Sequence, residues 1–178
     1  MHAHERTLIA RMGFEDPDKK DRRHDLACQY LAENKERLLR RVLGDAVKDV
    51  ARHGFEVPVS KGTGQYKVTI GFVDLVVNYN HRWVDEKRGE EWCESLGCAV
   101  EVKIGRVQVG DIIRQINLYR EYESAGAWIV ATVFPLAESD VTALKRSRIH
   151  HVLLGEGFEK WVAEQEAKQG KHDLSIEL

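Results

Sequence analysis

"AVEVKIG", residues 99–105, decides how the rest of the chain is read. A short apolar run is expected to be a buried strand, because removing apolar area from water draws such a run inside. Yet this one carries Glu101 and Lys103, residue types that almost never go fully inside unless paired. Side chains alternate along a strand, so positions 99, 101 and 103 share one face and 98, 100, 102 and 104 the other. One face therefore holds a carboxylate beside an amine, while Cys98, Val100, Val102 and Ile104 make an ordinary core face. Leaving one member of a buried charge pair alone costs about 3–5 kcal/mol, so compensation has to come from elsewhere. Other E-x-K triplets, at residues 33–35 and 166–168, sit in polar or helical contexts and read as solvated charge.

The segment before it supplies a partner. "KVTIGFVDLVVNYN", residues 67–80, reads as a long strand interrupted by Asp74, and "DEKRGEEWCESLG", residues 85–97, as the hairpin connection to the strand at 98–104. Hairpin strands are neighbours, so Asp74 and Glu101 are expected to converge at one end of a sheet. Two adjacent carboxylates repel, and a divalent cation is a common remedy. Hard oxygen ligands suit Mg²⁺ or Mn²⁺.

A third acid comes from the first helix, expected over about Asp25 to His53 with a break near Asn34. Leu39, Leu43, Ala46, Val47 and Val50 recur at helical spacing, and Gly54 reads as its stop. At 100° per residue, Glu36 falls roughly 20° from the middle of that stripe, where a leucine is expected. It is a site acid, a buried acid paired with an arginine, or an acid on a helix too frayed at that point to bury it.

Further along, a helix is expected from Val109 to about Ser124 with Ile112, Ile113, Ile116 and Tyr119 as its stripe. "AWIVATVF", residues 127–134, reads as a buried strand; "SDVTALKRSRIHHVLLG" and "GFEKWVAEQEAK" read as helix. The fold class is α/β: a mixed central β-sheet flanked by α-helices. Residues 1–24 read as a polar arm, 25–170 as one domain and 171–178 as a frayed tail.

Composition fits this picture: 178 residues, 43% hydrophobic, 31% charged, with a net charge of −2 that announces no nucleic-acid binder by itself. No run approaches the roughly 18 apolar residues of a membrane helix. The first residues lack a signal pattern, so a cytoplasmic location is expected. Three irregularly placed cysteines argue against a disulfide framework. Cys93 and Cys98 have no paired histidines at zinc-ligand spacing, and there is no phosphate-binding G-x-x-x-x-G-K-[ST] loop.

Asp74 followed by Glu101-x-Lys103, with helices around, resembles the PD-(D/E)xK phosphodiesterase superfamily of restriction-endonuclease-like fold. "GFVD", residues 71–74, is similar to the G-x-x-D variant of RecB-type nucleases, with Val73 where the nominal proline would be. "QINLY" carries Gln115 and Tyr119, which resemble the Q-x-x-x-Y motif of that branch. "ERLLRRVLGDAVKDVARHGF", residues 36–55, is similar to the first helix of archaeal Holliday-junction resolvases, with Glu36 at the matching acid. The resemblance spans roughly residues 35–135. Three cysteines instead of four argue against the iron–sulfur cluster of some relatives.

The resemblance implies a Mg²⁺- or Mn²⁺-dependent deoxyribonuclease. Asp74, Glu101 and the Val102 carbonyl would hold the metal, with Glu36 assisting through water. Lys103 would orient the attacking water, and Gln115 and Tyr119, one helical turn apart, would serve the same site. Lys61, Arg106, Arg114 and Arg120 are candidate phosphate contacts, joined by Lys145, Arg146 and Arg148 of the basic "LKRSRIHH". The expected partner is DNA, with RNA open. A monomer would suit nicking, and a two-fold homodimer would suit cutting a symmetric junction. The alternative from another class is a non-catalytic nucleic-acid-binding or adaptor protein on the same fold.

Overall fold

The computed structural model describes residues 22–173. Helices α1 (Arg22–Glu33) and α2 (Lys35–Leu43) lead through a short 3-10 turn (Gly44–Ala46) into β1 (Val47–Lys61). Strands β2 (Val68–Asp85) and β3 (Glu90–Lys103) follow, then α3 (Val109–Arg120), β4 (Ala127–Thr132), α4 (Glu138–Arg146), β5 (His150–Leu153) and α5 (Gly155–Asp173). The five strands form one sheet in sequential order, antiparallel across β1–β2–β3 and parallel across β3–β4–β5. The fold is thus α/β with a mixed sheet flanked by helices.

Strand alternation on β3 and β4 splits the core into two layers, and on β2 the layer that is faced changes between Val73 and Leu75. Leu75, Val77, Val100, Val102 and Ile129 face α1, α2 and α5 through Leu31, Leu39 and Phe158. Val73, Ala99, Trp128 and Val130 face α3 and α4 through Ile112, Ile116, Tyr119 and Leu144. All six residues of β4 are buried, as expected of a strand with a helical layer on each side. Among the described residues, no helix is long and apolar enough to cross a membrane.

The break at Asn34 is where the sequence places it, but the helix beyond does not reach His53. Gly44, at φ 74°, ends α2, as a left-handed glycine commonly does. Val47 and Val50 belong to β1, and Gly54 lies within that strand. The cause is a pair of bulges: Val47, Val50 and His53 align with His81, Tyr79 and Val77. Two irregularities make β1 step by three while its partner steps by two, so the strand carries a helix-like apolar spacing.

The charged excursion at 85–97 is mostly strand. Beyond His81 on β2 and Cys98 on β3, the two strands pair only with each other, closing at a turn between Asp85 and Glu90. Asp85 accepts bonds from the Lys87 and Arg88 amides, which fixes the turn. Trp83 and Trp92 stand directly opposite on this ribbon, 41% and 51% exposed.

Helix α3 ends at Arg120, short of Ser124. "LKRSRIHH" is not one helix: α4 stops at Arg146, Arg148 takes φ 55° in the turn, and His150 opens β5. Of the expected arm at 1–24, residues 22–24 are helical and the rest lie outside the described residues. The expected tail overlaps α5, which runs to Asp173.

Candidate active site

The site forms where β2 parts from β3. The two strands pair from Asp85↔Glu90 to Leu75↔Val100, and Asp74 is the first residue past that ladder. Its carboxylate continues the pairing in place of a backbone carbonyl, because the Val102 amide donates to Asp74 Oδ2 at 2.7 Å. The acid therefore stands against β3 beside Glu101, as the hairpin reading expects.

Glu101 is 1% exposed. Its Oε2 accepts from Lys103 Nζ at 3.3 Å and from Gln115 Nε2 at 3.2 Å, while Oε1 has no partner. Gln115 also donates to the Tyr119 hydroxyl at 3.1 Å, which in turn donates to the Phe72 carbonyl at 3.2 Å. This chain returns to β2 two residues before Asp74, so helix α3 locks both carboxylate-bearing strands. Gly71 is required there, because a Cβ at that position would collide with the Tyr119 hydroxyl.

Burial is the main cause raising the Glu101 carboxyl well above the ordinary range, and the Asp74 charge adds to it; Lys103 offsets only part. A buried acid with one unsatisfied oxygen, facing a second acid, is costly in the metal-free protein. That orphaned oxygen is the observation against which a metal can be tested, and the donor set fits a hard divalent cation. Among the described residues no three His, Cys, Asp or Glu side chains gather as a complete ligand set. Two carboxylates nonetheless suffice for a cation such as Mg²⁺, which keeps several waters and borrows substrate phosphate oxygens.

The sequence reading missed His24. Its Nε2 lies 3.4 Å from Asp74 Oδ2, and its Nδ1 lies 3.9 Å from Cys28 Sγ. The hydrogen bond to Asp74 is the main cause raising its pKa to about 11, so the ring is an imidazolium at neutral pH. The signal was present: His24, Cys28 and Leu31 follow helical spacing, a polar residue in line with an apolar stripe. It was hidden because the helix starts at Arg22, inside the segment assigned to the arm.

The other expected residues lie elsewhere. Glu36 does not occupy the apolar stripe: its side chain is 66% exposed and pairs with Arg40 one turn on. Val47 and Val50 draw the stripe toward Glu36 only if they are helical; with both in β1, Leu38 and Leu39 set the buried face of α2. Arg120 is committed internally, donating to the Ser147 and Arg148 carbonyls at 2.8 and 2.7 Å with its guanidinium over Trp128. It braces the α4–β5 turn instead of offering a phosphate contact. Arg114 is exposed and bonded to Asp111. Lys61, Arg106, Lys145, Arg146 and Arg148 are exposed.

No protein-family model, curated protein or solved structure matches this chain.

Proposed function

We propose that the chain is a divalent-metal-dependent nuclease hydrolysing phosphodiester bonds in DNA, with a restriction-endonuclease-like core of the PD-(D/E)xK type. The observation that carries this reading is the buried, half-satisfied Glu101 held beside Asp74 and Lys103 at one end of the sheet. A protein that needed only stability would lose little by replacing such a cluster with apolar side chains.

Asp74, Glu101 and the Val102 carbonyl would hold the metal, with the His24 ring beside Asp74. When bound, the metal would supply a deprotonated water and neutralise charge on the phosphate. Lys103, 12% exposed, sets a fixed positive charge beside Glu101 for the developing oxyanion and the attacking water. Gln115 acts as a positioning residue that holds Glu101 Oε2, and Tyr119 holds Gln115.

The test is cleavage of single-stranded, duplex and branched DNA, and of RNA, with Mg²⁺, Mn²⁺ or EDTA. Metal-dependent cutting by the wild type should fall at least a hundredfold, on the order expected for loss of one charge-stabilising group, in Asp74→Asn, Glu101→Gln and Lys103→Ala. Cutting that survives these substitutions or EDTA refutes the reading. Tight metal-independent binding without cutting would identify a nucleic-acid-binding adaptor instead.

A further inference from the structure

Between α1 and β1 opens a cavity of about 600 Å³ that reaches Asp74. Its β1 wall carries His53 and Phe55, aligned with the core residues Val77 and Leu75 and hence on the core side of the sheet. Phe55 is nevertheless 47% exposed, and the two rings meet edge to face with centroids 5.1 Å apart. On the opposite wall α1 presents Cys28 and Ala32.

We propose that this cavity is a subsite for one unpaired nucleobase, stacked against Phe55 and His53 while its phosphate lies at Asp74 and Glu101. The inference rests on the nuclease reading and adds a substrate class to it: a strand that is single, or locally opened, beside the scissile bond. The volume falls in the range of roughly 300–1,000 Å³ typical of pockets that enclose a small organic ligand. The cavity's charge selects which part of a nucleotide enters. Asp25, Glu33 and Glu56 line it along with Asp74, four acids against Lys35 and the His24 imidazolium, so a phosphate is repelled and an uncharged aromatic ring is not. A base within duplex DNA is stacked and paired, and cannot reach such a pocket without leaving the helix. Glu56, across from Asp74 on β1, holds φ 47°, a strained conformation for a non-glycine residue at the cavity wall.

The experiment uses the full-length chain with Ca²⁺ in place of Mg²⁺ and short single strands bearing the fluorescent base 2-aminopurine at successive positions. Stacking quenches its emission, so quenching is expected at one position in the bound strand. Phe55→Ala should abolish that quenching and weaken binding about 5- to 150-fold, the range of one base–aromatic stack, whereas Phe55→Trp should preserve both. Circular dichroism of the two variants guards against misfolding. Quenching at no position, or quenching unchanged in Phe55→Ala, overturns the subsite. If the wild type cuts DNA in Mg²⁺ under either of those results, the nuclease reading stands without the subsite. If Phe55-dependent quenching occurs but nothing is cut in Mg²⁺ or Mn²⁺, the subsite stands and the enzymatic reading falls.

Discussion

Glu101 combines near-total burial, a neighbouring acid and an oxygen without a partner, and each of these favours its protonated form. Because its folded pKa lies above the unfolded value, it binds its proton more tightly in the native state. Its contribution to stability is therefore complete at low pH and is lost as pH rises through the folded pKa. In EDTA, the wild type should lose thermal stability between mildly acidic and mildly alkaline pH. Glu101→Gln, which keeps the shape without the charge, should flatten that slope. Parallel slopes for the two proteins in a thermal melt would show that Glu101 is not the titrating group. Lys103→Met should steepen the slope, because Lys103 is what holds the Glu101 carboxyl down against burial and the Asp74 charge; urea unfolding across the pH range measures this.

At the scale of elements, α3 meets β2 where the Tyr119 ring lies against Gly71 and leaves no room for a Cβ. Gly71→Ala forces a methyl group into the tyrosine and should cost about 1–3 kcal/mol, as overpacking does. It should also reduce cleavage, since Tyr119 can no longer hold Gln115 on Glu101; the midpoint of urea unfolding and the turnover rate check the two effects separately. The elements also show what a sequence can reveal. The β2–β3 hairpin, the buried β4 and helix α3 were legible because their apolar periods match their structures. So was the meeting of Asp74, Glu101 and Lys103, since each is a charged residue set in an apolar strand; Gln115 and Tyr119 came only from the family resemblance. β1 was illegible for a physical reason: bulges shift its inward positions from every second residue to every third, so Val47 and Val50 mimic a helix. That misreading moved the stripe and promoted Glu36, while the late start assigned to the first helix concealed His24. Arg148 shows the same limit, because its left-handed turn has no glycine to mark it.

For the whole molecule, the sheet acts as a partition between two helical layers, and the site lies at the seam where both reach it. His24 arrives from the α1 side and Gln115 from the α3 side. A ligand that joins the two carboxylates would therefore tie strands β2 and β3 at their open end and stabilise the fold as a unit. At a hundredfold excess over its Kd, Mn²⁺ should add about 2.7 kcal/mol, or roughly 5–11 °C in Tm; Asp74→Asn and Glu101→Gln should show little of this shift in differential scanning calorimetry. The β2–β3 ribbon has another consequence. Its turn between Asp85 and Glu90 separates Asp74 in sequence from Glu101 and Lys103, while eleven cross-strand residue pairs hold the two strands together. Expressed as two polypeptides divided at that turn, each half would carry only part of the candidate site. On the proposed nuclease reading, reassembly along the ribbon would then switch cutting on, making the chain divisible into a complementing pair.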